Sequence, residues 1–342
     1  MDIAHNVSLA EHSTMHLGGS AQHLVEVSDR NQVKEALSWA AGQGLPVIMI
    51  GGGSNIIWND SGFAGLVIVN KILHYETYEE DATNIYLTIG AGEPWDSVVE
   101  RSVTAGLTGI EALSLIPGTA GATPIQNVGA YGQEISETLT TIEAYDTQTQ
   151  GFVTIPISEC GFSYRSSRFK TTDKGRFFIT GITLHLRKGN PLPPFYSSVQ
   201  EYFETRSITD YTPGAVREAV IAIRTAKLPD PALVNNCGSF FGNPIVSDWE
   251  FAQINENYET IPHWPIDNQT VKLSAAWLIE QAGFKDVHDQ ATGMATWPKQ
   301  PLVLINEHAK STADLLAFKQ KIVDAVQAKF NVTLEQEPEL IA

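Results

Sequence analysis

The chain of 342 residues has little cysteine and no long apolar run. Its two cysteines, Cys160 and Cys237, fit a reducing compartment, and their spacing offers no zinc site. No stretch of about 18 consecutive apolar residues occurs, and the first residues lack the basic and apolar parts of an export signal. We therefore expect a cytoplasmic protein with free thiols, no metal site and no membrane insertion.

Positive charge is also scarce. The chain has 22 Lys and Arg residues against 39 Asp and Glu residues, which gives a formal net charge of -17. Such an excess of negative charge repels nucleic acid and anionic membrane surfaces. Any ligand that carries phosphate must therefore be held by local backbone dipoles and a few well-placed cations.

Glycine, in contrast, is concentrated in residues 113–132, LSLIPGTAGATPIQNVGAYG. Glycine and proline both disfavour a helix here, because each interior glycine costs about 1 kcal/mol relative to alanine and proline lacks a backbone donor. We predict an ordered loop whose backbone N–H groups can approach an anionic ligand closely, since no Cβ stands in the way. A phosphate-bearing cofactor is the expected ligand, and a plain surface loop is the alternative.

A second glycine cluster, GGGSN at residues 51–55, follows directly after the apolar run 45–50. Two common nucleotide-binding motifs are absent. A GxGxxG motif would need glycine where Ile56 stands, and no GxxxxGK[ST] sequence occurs. The cluster is therefore neither a Rossmann fingerprint nor a P-loop.

Apolar spacing and turn residues predict a mixture of helices and strands. Residues 141–145, 152–155 and 177–186 are expected to form a mainly antiparallel sheet. The proline cluster 191–194 precedes a helix that starts at Thr212-Pro213. Further helices are predicted after a cap at Ser28 or Asp29, over 94–105 and 272–281, and after a cap at Ser311 or Thr312; further strands are predicted over 45–50, 66–70, 85–89, 302–305 and 332–341.

Several polar residues are candidates for chemistry, and each has a simpler interpretation. Arg165 and Arg168, in YRSSRFK, can clamp an anion through their planar guanidinium groups or can be ordinary surface arginines. Ser239, in CGSFFGNP, is by default a loop hydroxyl that bonds its own backbone. Alternation places Glu335, Glu337 and Glu339 on one strand face, which is usually a solvated edge.

Four segments occur in an order that resembles one family. GGGSN, IPGTAGATPIQNVGAYG, YRSSRFK and GSFFGNP, with LEQE near the C-terminus, are similar to the UDP-N-acetylenolpyruvoylglucosamine reductases over nearly the whole chain. The resemblance implies an α+β fold with a two-part FAD-binding cradle of the vanillyl-alcohol-oxidase type and a smaller C-terminal α/β substrate domain. The implied divisions are 1–71 with strand 331–342 returning near it, 72–212 and 213–330. The proline cluster and Tyr196 resemble the form of the family with a substrate-closing tyrosine loop.

The resemblance also implies a reaction. NADPH reduces FAD, and the flavin passes hydride to the enolpyruvyl double bond of UDP-N-acetylglucosamine enolpyruvate, which gives UDP-N-acetylmuramate for peptidoglycan synthesis. Hydride addition leaves an enolate, so the site needs a positive group and a proton source. By motif, Arg165 is the cation on the carboxylate, Glu337 is its partner near the developing enol, and Ser239 is the proton donor.

Ligand contacts follow from the same resemblance. We expect FAD to be bound without a covalent link, because no histidine lies in either glycine segment, and we expect a monomer. Tyr196 and Lys227 are expected at the substrate diphosphate, and Asn243 and Gln300 at its polar groups. The expected cofactor-binding residues are Gly51, Gly52, Gly53, Ser54, Asn55, Ile116, Pro117, Gly118, Thr119, Gly121, Ala122, Thr123, Gln126, Asn127, Gly129 and Tyr131.

Some alternatives stay open. Glu335 and Glu339 compete with Glu337, and Cys237 competes with Ser239 because a strand would project both side chains to the same side. Gly242 and Glu339 depart from the family pattern, which usually has lysine at the first position and often a basic residue at the second. As competing functions, a flavin oxidase or dehydrogenase acting on a small alcohol or sugar would need a substrate base, and a non-catalytic nucleotide-sugar or flavin-binding protein would need only the glycine loops.

Overall fold

The computed structural model describes residues 1–342, which form two compact units, each assembled from separate stretches. Unit 1 comprises Met1–Val7, Ala21–Gly52 and Ala64–Ala226, and unit 2 comprises Ser8–Ser20, Gly53–Phe63 and Lys227–Ala342. Both units contain helices and sheets, as the predicted α+β class requires. The predicted divisions at residues 71 and 212 stay a prediction.

The chain contains 21 strands and seven α-helices. The helices are α1 (Arg30–Gln43), α2 (Trp95–Thr104), α3 (Ser197–Thr205), α4 (Pro213–Lys227), α5 (Asp248–Asn255), α6 (Ala275–Gln281) and α7 (Thr312–Phe330). None of them is both long and apolar enough to span a lipid bilayer. The strands are β1 (Ala4–Ser8), β2 (Ser20–Val27), β3 (Val47–Ile50), β4 (Ile56–Trp58), β5 (Phe63–Asn70), β6 (Tyr75–Glu79), β7 (Asn84–Gly90), β8 (Leu107–Thr108), β9 (Gly129–Ala130), β10 (Gln133–Glu134), β11 (Leu139–Asp146), β12 (Gly151–Pro156), β13 (Phe177–Lys188), β14 (Asn236–Ser239), β15 (Ile245–Ser247), β16 (His263–Pro265), β17 (Thr270–Leu273), β18 (His288–Asp289), β19 (Met294–Trp297), β20 (Gln300–Asn306) and β21 (Glu339–Ile341).

Unit 1 is built around two larger sheets. A four-stranded sheet has the order β1-β2-β5-β3, in which β3 and β5 are parallel. A six-stranded sheet has the order β12-β11-β13-β7-β6, with β8 also paired to β13, and its pairs are antiparallel. The predicted antiparallel sheet over residues 141–186 is therefore confirmed. Its apolar side packs on α2, where Trp95, Val98 and Val99 are buried.

Helix α1 begins and ends where its sequence signals predict. The side chain of Asp29 accepts a hydrogen bond of 3.0 Å from the Gln32 backbone N–H, which satisfies a free donor of the first turn. Gly44 adopts the left-handed conformation that commonly ends a helix. Val33, Leu37 and Ala40 are buried against the four-stranded sheet, as their spacing predicts.

Unit 2 contains a sheet of order β14-β20-β19-β18, a sheet of order β15-β17-β16 and the parallel pair β4-β21. Helix α7 starts at a capping box in which Ser311 and Asp314 exchange hydrogen bonds, as the sequence predicts. Its buried face joins the largest core of the unit through Leu315, Phe318 and Ile322. Aromatic residues of the GSFF segment, Phe240 and Phe241, are buried in the same core.

Two predicted elements of unit 2 are shorter than expected. Residues 270–273 form strand β17, and Ser274 caps a helix that covers only Ala275–Gln281. The alternating tail 332–341 forms a regular strand only over Glu339–Ile341. The side chains of Val332 and Leu334 are buried in the core, as their alternation predicts. Their backbones do not belong to a regular strand.

Candidate active site

Gly51 and Gly52, the part of the GGGSN segment that belongs to unit 1, approach the second glycine-rich loop at Gly118 and Thr119. A Cβ atom at Gly51 would lie 2.1 Å from Oγ1 of Thr119, and a Cβ atom at Gly52 would lie 3.3 Å from Cα of Gly118. A side chain at position 51 would overlap the side chain of Thr119, which would then have to move. Two segments whose residues are expected, from the family resemblance, to bind the cofactor therefore approach each other at these positions.

The loop at residues 116–123 is fixed by backbone hydrogen bonds. Trp95 N–H donates to the Gly118 carbonyl at 3.0 Å, at the start of α2, and the Ala120 and Gly121 N–H groups donate to Glu93 and Ala91 at 2.9 Å. The loop contains a single 3-10 turn over Ala120–Ala122 and no α-helix. The predicted ordered, non-helical loop is confirmed.

Two polar residues predicted to bind the cofactor are engaged within the protein. The hydroxyl of Thr123 donates to the Ala120 carbonyl at 2.7 Å. The Asn127 amide nitrogen donates to Glu134 at 2.7 Å and to the Ser163 carbonyl at 3.3 Å, while its oxygen accepts from Ser136 N–H at 3.2 Å. The side chains of Thr123 and Asn127 therefore stabilise the loop through hydrogen bonds within the protein.

Arg165 lies at the tip of a tight turn beside the β9-β10 hairpin. Ser163 and Ser166 exchange backbone hydrogen bonds of 3.1 Å, and Arg165 between them has a left-handed φ of 52°. A non-glycine residue in this conformation costs free energy and often marks a functional position. Its Nη2 donates to the Gly129 carbonyl at 2.9 Å, so the guanidinium is directed towards the glycine loop.

Two tyrosines and a second arginine form a cluster next to this hairpin. The rings of Tyr131 and Tyr196 meet edge to face, with centroids 5.7 Å apart. Arg224 of α4 hydrogen-bonds to Tyr131, while its Nε is buried without a hydrogen-bond partner. Burial lowers the pKa of Arg224, and Tyr131 and Asp96 act in the opposite direction. The cluster presents a desolvated positive charge, which attracts an anionic group strongly.

Unit 2 brings Ser239 and Glu337 onto adjacent chain segments. Ser239 ends β14, and the next residue, Phe240, accepts a hydrogen bond of 2.9 Å from the Glu337 backbone N–H. Phe241 and Gln336 form a β-bridge, and Gly242 N–H donates to the Glu335 carbonyl at 3.0 Å. Both side chains are half-buried, so they remain accessible to a ligand. Arg165, the third predicted catalytic residue, belongs to unit 1.

Cys237 does not share the side of the strand that Ser239 occupies. Gly238 between them has a φ of +76°, and the pairing of β14 with β20 shifts register there. This bulge turns Cys237 into the hydrophobic core, where burial raises the pKa of its thiol to about 12 and the nearby Glu337 charge acts in the same direction. The thiol is a weaker acid than the sequence suggests, and it lies in the core.

The three C-terminal glutamates occupy different environments rather than one strand face. Glu335 is exposed, whereas Glu337 and Glu339 are half-buried. Glu339 N–H donates to the Asn55 carbonyl at 3.0 Å, which joins β21 to the end of the GGGSN segment. The backbones of Glu335 and Glu337 are both bonded to the segment that carries Ser239, and of these two side chains only that of Glu337 is half-buried.

The predicted substrate residues in unit 2 are placed by neighbouring elements. Lys227 is exposed at the end of α4, and its carbonyl accepts from the Trp297 indole at 3.0 Å. The Asn243 side-chain oxygen accepts from Ala275 N–H at 3.0 Å at the start of α6, so its amide group is held in one orientation. Gln300 begins β20 and is buried.

Comparison with known proteins connects this geometry to a family. Residues 21–150 match the model described as FAD binding domain, and residues 230–341 match the C-terminal domain of UDP-N-acetylenolpyruvoylglucosamine reductase. A protein of that name from Cupriavidus pinatubonensis is 38% identical, covering 96% of each chain. One from Xylella fastidiosa is 39% identical over 98% of this chain and 95% of its own, and one from Amoebophilus asiaticus is 38% identical over 100% of both.

The chain belongs to the UDP-N-acetylenolpyruvoylglucosamine reductase family. The crystal structure of UDP-N-acetylenolpyruvylglucosamine reductase from Thermus caldophilus has the same fold, with a TM-score of 0.67 at 21% identity, over 100% of this chain and 98% of that one. The family and fold predicted from the sequence are therefore confirmed. FAD as the cofactor is confirmed by the match of residues 21–150.

Glycine positions in this reductase show the close backbone approach that suits FAD. In unit 1, Gly51 and Thr119 are so close that a Cβ atom would fill the space between the two loops. In unit 2, Gly53 has a φ of +67°, and a Cβ atom there would lie 2.2 Å from the His12 carbonyl. Segments with this backbone freedom suit a pyrophosphate, because amide groups rather than cations then approach the charge.

Arg224 of this reductase is not among the residues predicted from the sequence. Val216 and Val220 mark the buried stripe of α4, and Arg224 continues that stripe at a spacing of four residues. An arginine on an otherwise apolar stripe is the signal that identifies it, since a buried guanidinium requires an anionic or aromatic partner.

Proposed function

We propose that the protein is an FAD-dependent, NADPH-linked reductase that converts UDP-N-acetylglucosamine enolpyruvate into UDP-N-acetylmuramate, a peptidoglycan precursor. The observation that carries this proposal is the full-length similarity to reductases of that name, at 37–39% identity. The same similarity favours this reaction over an oxidase of related fold that acts on a small alcohol. We further propose that the protein is a monomer and works in the cytoplasm, with its two nucleotide substrates.

When bound, FAD accepts hydride from NADPH and supplies it to the substrate double bond. The residues of the chain would stabilise the negative charge that hydride addition leaves on the substrate. That charge spreads over the adjacent carbon and the carboxylate. A fixed cation stabilises it more strongly than water does, because the cation needs no reorganisation during the reaction.

Arg165 is the group proposed to bind the substrate carboxylate. Its Nη2 donates to the Gly129 carbonyl, and the planar fork of a guanidinium matches the two oxygens of a carboxylate. Backbone hydrogen bonds between Ser163 and Ser166 close its strained turn, and the bond to Gly129 orients its side chain. Arg224, beside Tyr131 and Tyr196, is proposed as a second cation for an anionic group of the substrate.

Ser239 is proposed to donate the proton that completes the reduction. Its Oγ would give its proton to the enolate carbon and carry the resulting charge until solvent reprotonates it. A hydroxyl is a weak acid, but an enolate carbon is a stronger base than a carboxylate, so correct placement suffices. Glu337, on the adjacent segment, is proposed to orient the groups around the developing enol.

The remaining predicted substrate contacts are retained as proposals. Tyr196 and Lys227 would hold the diphosphate, Tyr196 through its hydroxyl and Lys227 through its exposed ammonium group. Asn243, oriented by α6, and Gln300 would bind neutral polar groups of the sugar or of the nucleotide. The two loops around Gly51 and Gly118 would hold the flavin pyrophosphate.

Three measurements test the proposal. The purified protein should be yellow with a flavin spectrum, and it should oxidise NADPH when the enolpyruvyl sugar nucleotide is added. The matched control is UDP-N-acetylglucosamine, which lacks the enolpyruvyl group and should not support NADPH oxidation. NADPH oxidation that proceeds equally with either compound, or a reaction that instead consumes small alcohols with oxygen, would reject the proposed reaction.

A further inference from the structure

The backbone of Thr14 connects the GGGSN segment to strand β14 within unit 2. Its backbone N–H donates to the Gly53 carbonyl at 3.2 Å, and its own carbonyl accepts from the Asn236 N–H at 3.0 Å. Gly53 belongs to the GGGSN segment, and Asn236 begins β14, the strand that ends at Ser239. Both backbone groups of Thr14 are therefore committed to holding these two elements together.

The segment around Thr14 is fixed at several further points. Ser13 Oγ donates to the Ile56 carbonyl at 3.1 Å, and the Met15 carbonyl accepts from the Asn306 amide at 3.1 Å. The Trp58 indole donates to the His12 carbonyl at 3.3 Å. The close approach of His12 to Gly53 leaves no room for a side chain at position 53. The position of Thr14 relative to the GGGSN segment is thus well determined.

The hydroxyl of Thr14 is buried and has no hydrogen-bond partner within the chain. Burying a hydroxyl without a partner destabilises a folded protein, so such groups are rare and each one requires an explanation. Buried threonines elsewhere in the unit are satisfied, as Thr312 shows by donating to the Trp58 carbonyl at 2.6 Å. Thr14 carries its unpaired hydroxyl next to the glycine that is expected to approach a dinucleotide.

We propose that Thr14 is a cofactor-binding residue whose hydroxyl donates a hydrogen bond to bound FAD. The proposal rests on the proposed function only for the identity of the cofactor. FAD offers phosphate oxygens, ribose oxygens and ring carbonyls, all of which accept hydrogen bonds. Because its backbone also holds β14, Thr14 couples the position of the flavin to the strand that ends at Ser239.

The test compares FAD affinity and stability in variants that separate the hydroxyl from the methyl group. Thr14→Val removes the hydroxyl and keeps the shape, and Thr14→Ser keeps the hydroxyl. The matched control is Thr312→Val, which removes a buried hydroxyl that is already bonded within the chain. The flavin-free proteins are titrated with FAD and followed by flavin fluorescence, and their thermal unfolding is measured without FAD.

Thr14→Val should weaken FAD binding by about tenfold, the effect of losing one hydrogen bond of ordinary strength. Without FAD, its stability should equal or exceed that of the original protein. Thr14→Ser should bind FAD within about threefold of the original value. Thr312→Val should unfold at lower temperature while its FAD affinity stays unchanged.

An unchanged FAD affinity in Thr14→Val would overturn the proposal. So would equal losses in Thr14→Val and Thr14→Ser, because a variant that keeps the hydroxyl would then bind FAD no better than one that lacks it. If Thr14→Val does not fold, Thr14→Ala and Thr14→Ser carry the same test, because they differ only in the hydroxyl. Failure of the proposed reaction is recognised separately, because turnover of the enolpyruvyl substrate by the original protein is measured independently of these titrations.

Discussion

The backbone N–H of Glu337 donates a 2.9 Å hydrogen bond to the carbonyl oxygen of Phe240, the residue that follows Ser239. This bond links the C-terminal segment to the end of β14 across almost one hundred residues of intervening chain. It positions a hydroxyl and a carboxylate on neighbouring backbones. Because the link is made by main-chain atoms, either side chain can be replaced without removing it.

Replacing Ser239 by alanine should therefore separate the two halves of the catalytic cycle. NADPH should still bleach the flavin, whereas reoxidation by the enolpyruvyl substrate should slow by roughly 10²–10³, the usual effect of removing one positioned donor. Stopped-flow absorbance measures both steps. Loss of the bleaching step instead would show that Ser239 is not the proton donor.

The rival donor is tested by Cys237→Ala. Cys237 lies in the core, and burial raises the pKa of its thiol to about 12. The variant should lose some stability through the small cavity but should retain the rate of flavin reoxidation once folded. A reoxidation rate as low as that of Ser239→Ala would transfer the proton-donor role to the thiol.

Glu337→Gln should reduce turnover by at least about tenfold, because it removes a charge beside the developing enol. Glu335→Gln is the matched control, since Glu335 lies two residues away on the same segment but is exposed. Steady-state kinetics with the enolpyruvyl substrate compares the two. Equal losses in both variants would indicate a general effect of charge rather than a specific role for Glu337.

Gly51→Ala should destabilise the protein and weaken FAD binding. The added Cβ would lie 2.1 Å from Oγ1 of Thr119, and relief of such an overlap commonly costs about 1–3 kcal/mol. Adding Thr119→Ala should restore part of both properties by removing the overlapping atom. The matched control is Gly42→Ala, in α1, where no atom lies within 4 Å of the added Cβ. Because alanine favours a helix over glycine, this change should stabilise the protein by about 0.5–1 kcal/mol.

These glycine predictions are measured by thermal unfolding and by FAD titration. If Gly51→Ala keeps the original stability and affinity, the two loops do not approach each other as described. If Gly42→Ala is destabilising, it cannot serve as the control for Gly51→Ala. The end of α1 near Gly44 would then tolerate less change than its contacts indicate.

His288 should contribute stability at acidic pH. Its hydrogen bond with Glu307, 2.9 Å from Nδ1, raises the pKa of His288, and Asp286 at 3.5 Å acts in the same direction. A raised pKa means that the folded protein holds the proton more tightly than the unfolded chain does. The contribution is therefore complete below the ordinary histidine pKa and is lost as pH rises through the pKa of the folded state.

Thermal unfolding of His288→Gln should consequently show a lower Tm than the original protein near pH 5.5, and no difference near pH 8.5, on either side of the ordinary histidine pKa of about 6.5. Glu307→Gln removes the other partner of this ion pair, so it should also lower the Tm near pH 5.5. A difference in Tm of the same size at both pH values would show that His288 acts through packing rather than through charge.

Much of the fold could be predicted from the sequence, since its signals are local. Asp29 and Gly44 identify the ends of α1, and the apolar run before GGGSN identifies β3. The misassigned helix over 272–281 has a physical cause. Neither glycine nor proline separates β17 from α6, and Ser274, the actual cap, lies inside a continuous apolar pattern.

The candidate site was predictable in part. The glycine segments and the Ser239 and Glu337 motifs were recognisable, but the relation between Cys237 and Ser239 was not. Strand periodicity places them on one side, and only a bulge at Gly238 separates them. The Nε of Arg224 and the hydroxyl of Thr14 are buried without a hydrogen-bond partner, a property that depends on tertiary structure.

The parallel pairing of β21 with β4 has a consequence for how the chain is made. Ile57 and Trp58 are fully buried in the folded protein, yet a ribosome synthesises them long before Glu339–Ile341 emerge to pair with them. Until then β4 carries an open edge and apolar side chains that attract other nascent chains. Expression at reduced temperature, or with abundant chaperones, should therefore improve the yield of folded protein more than a change of buffer after purification.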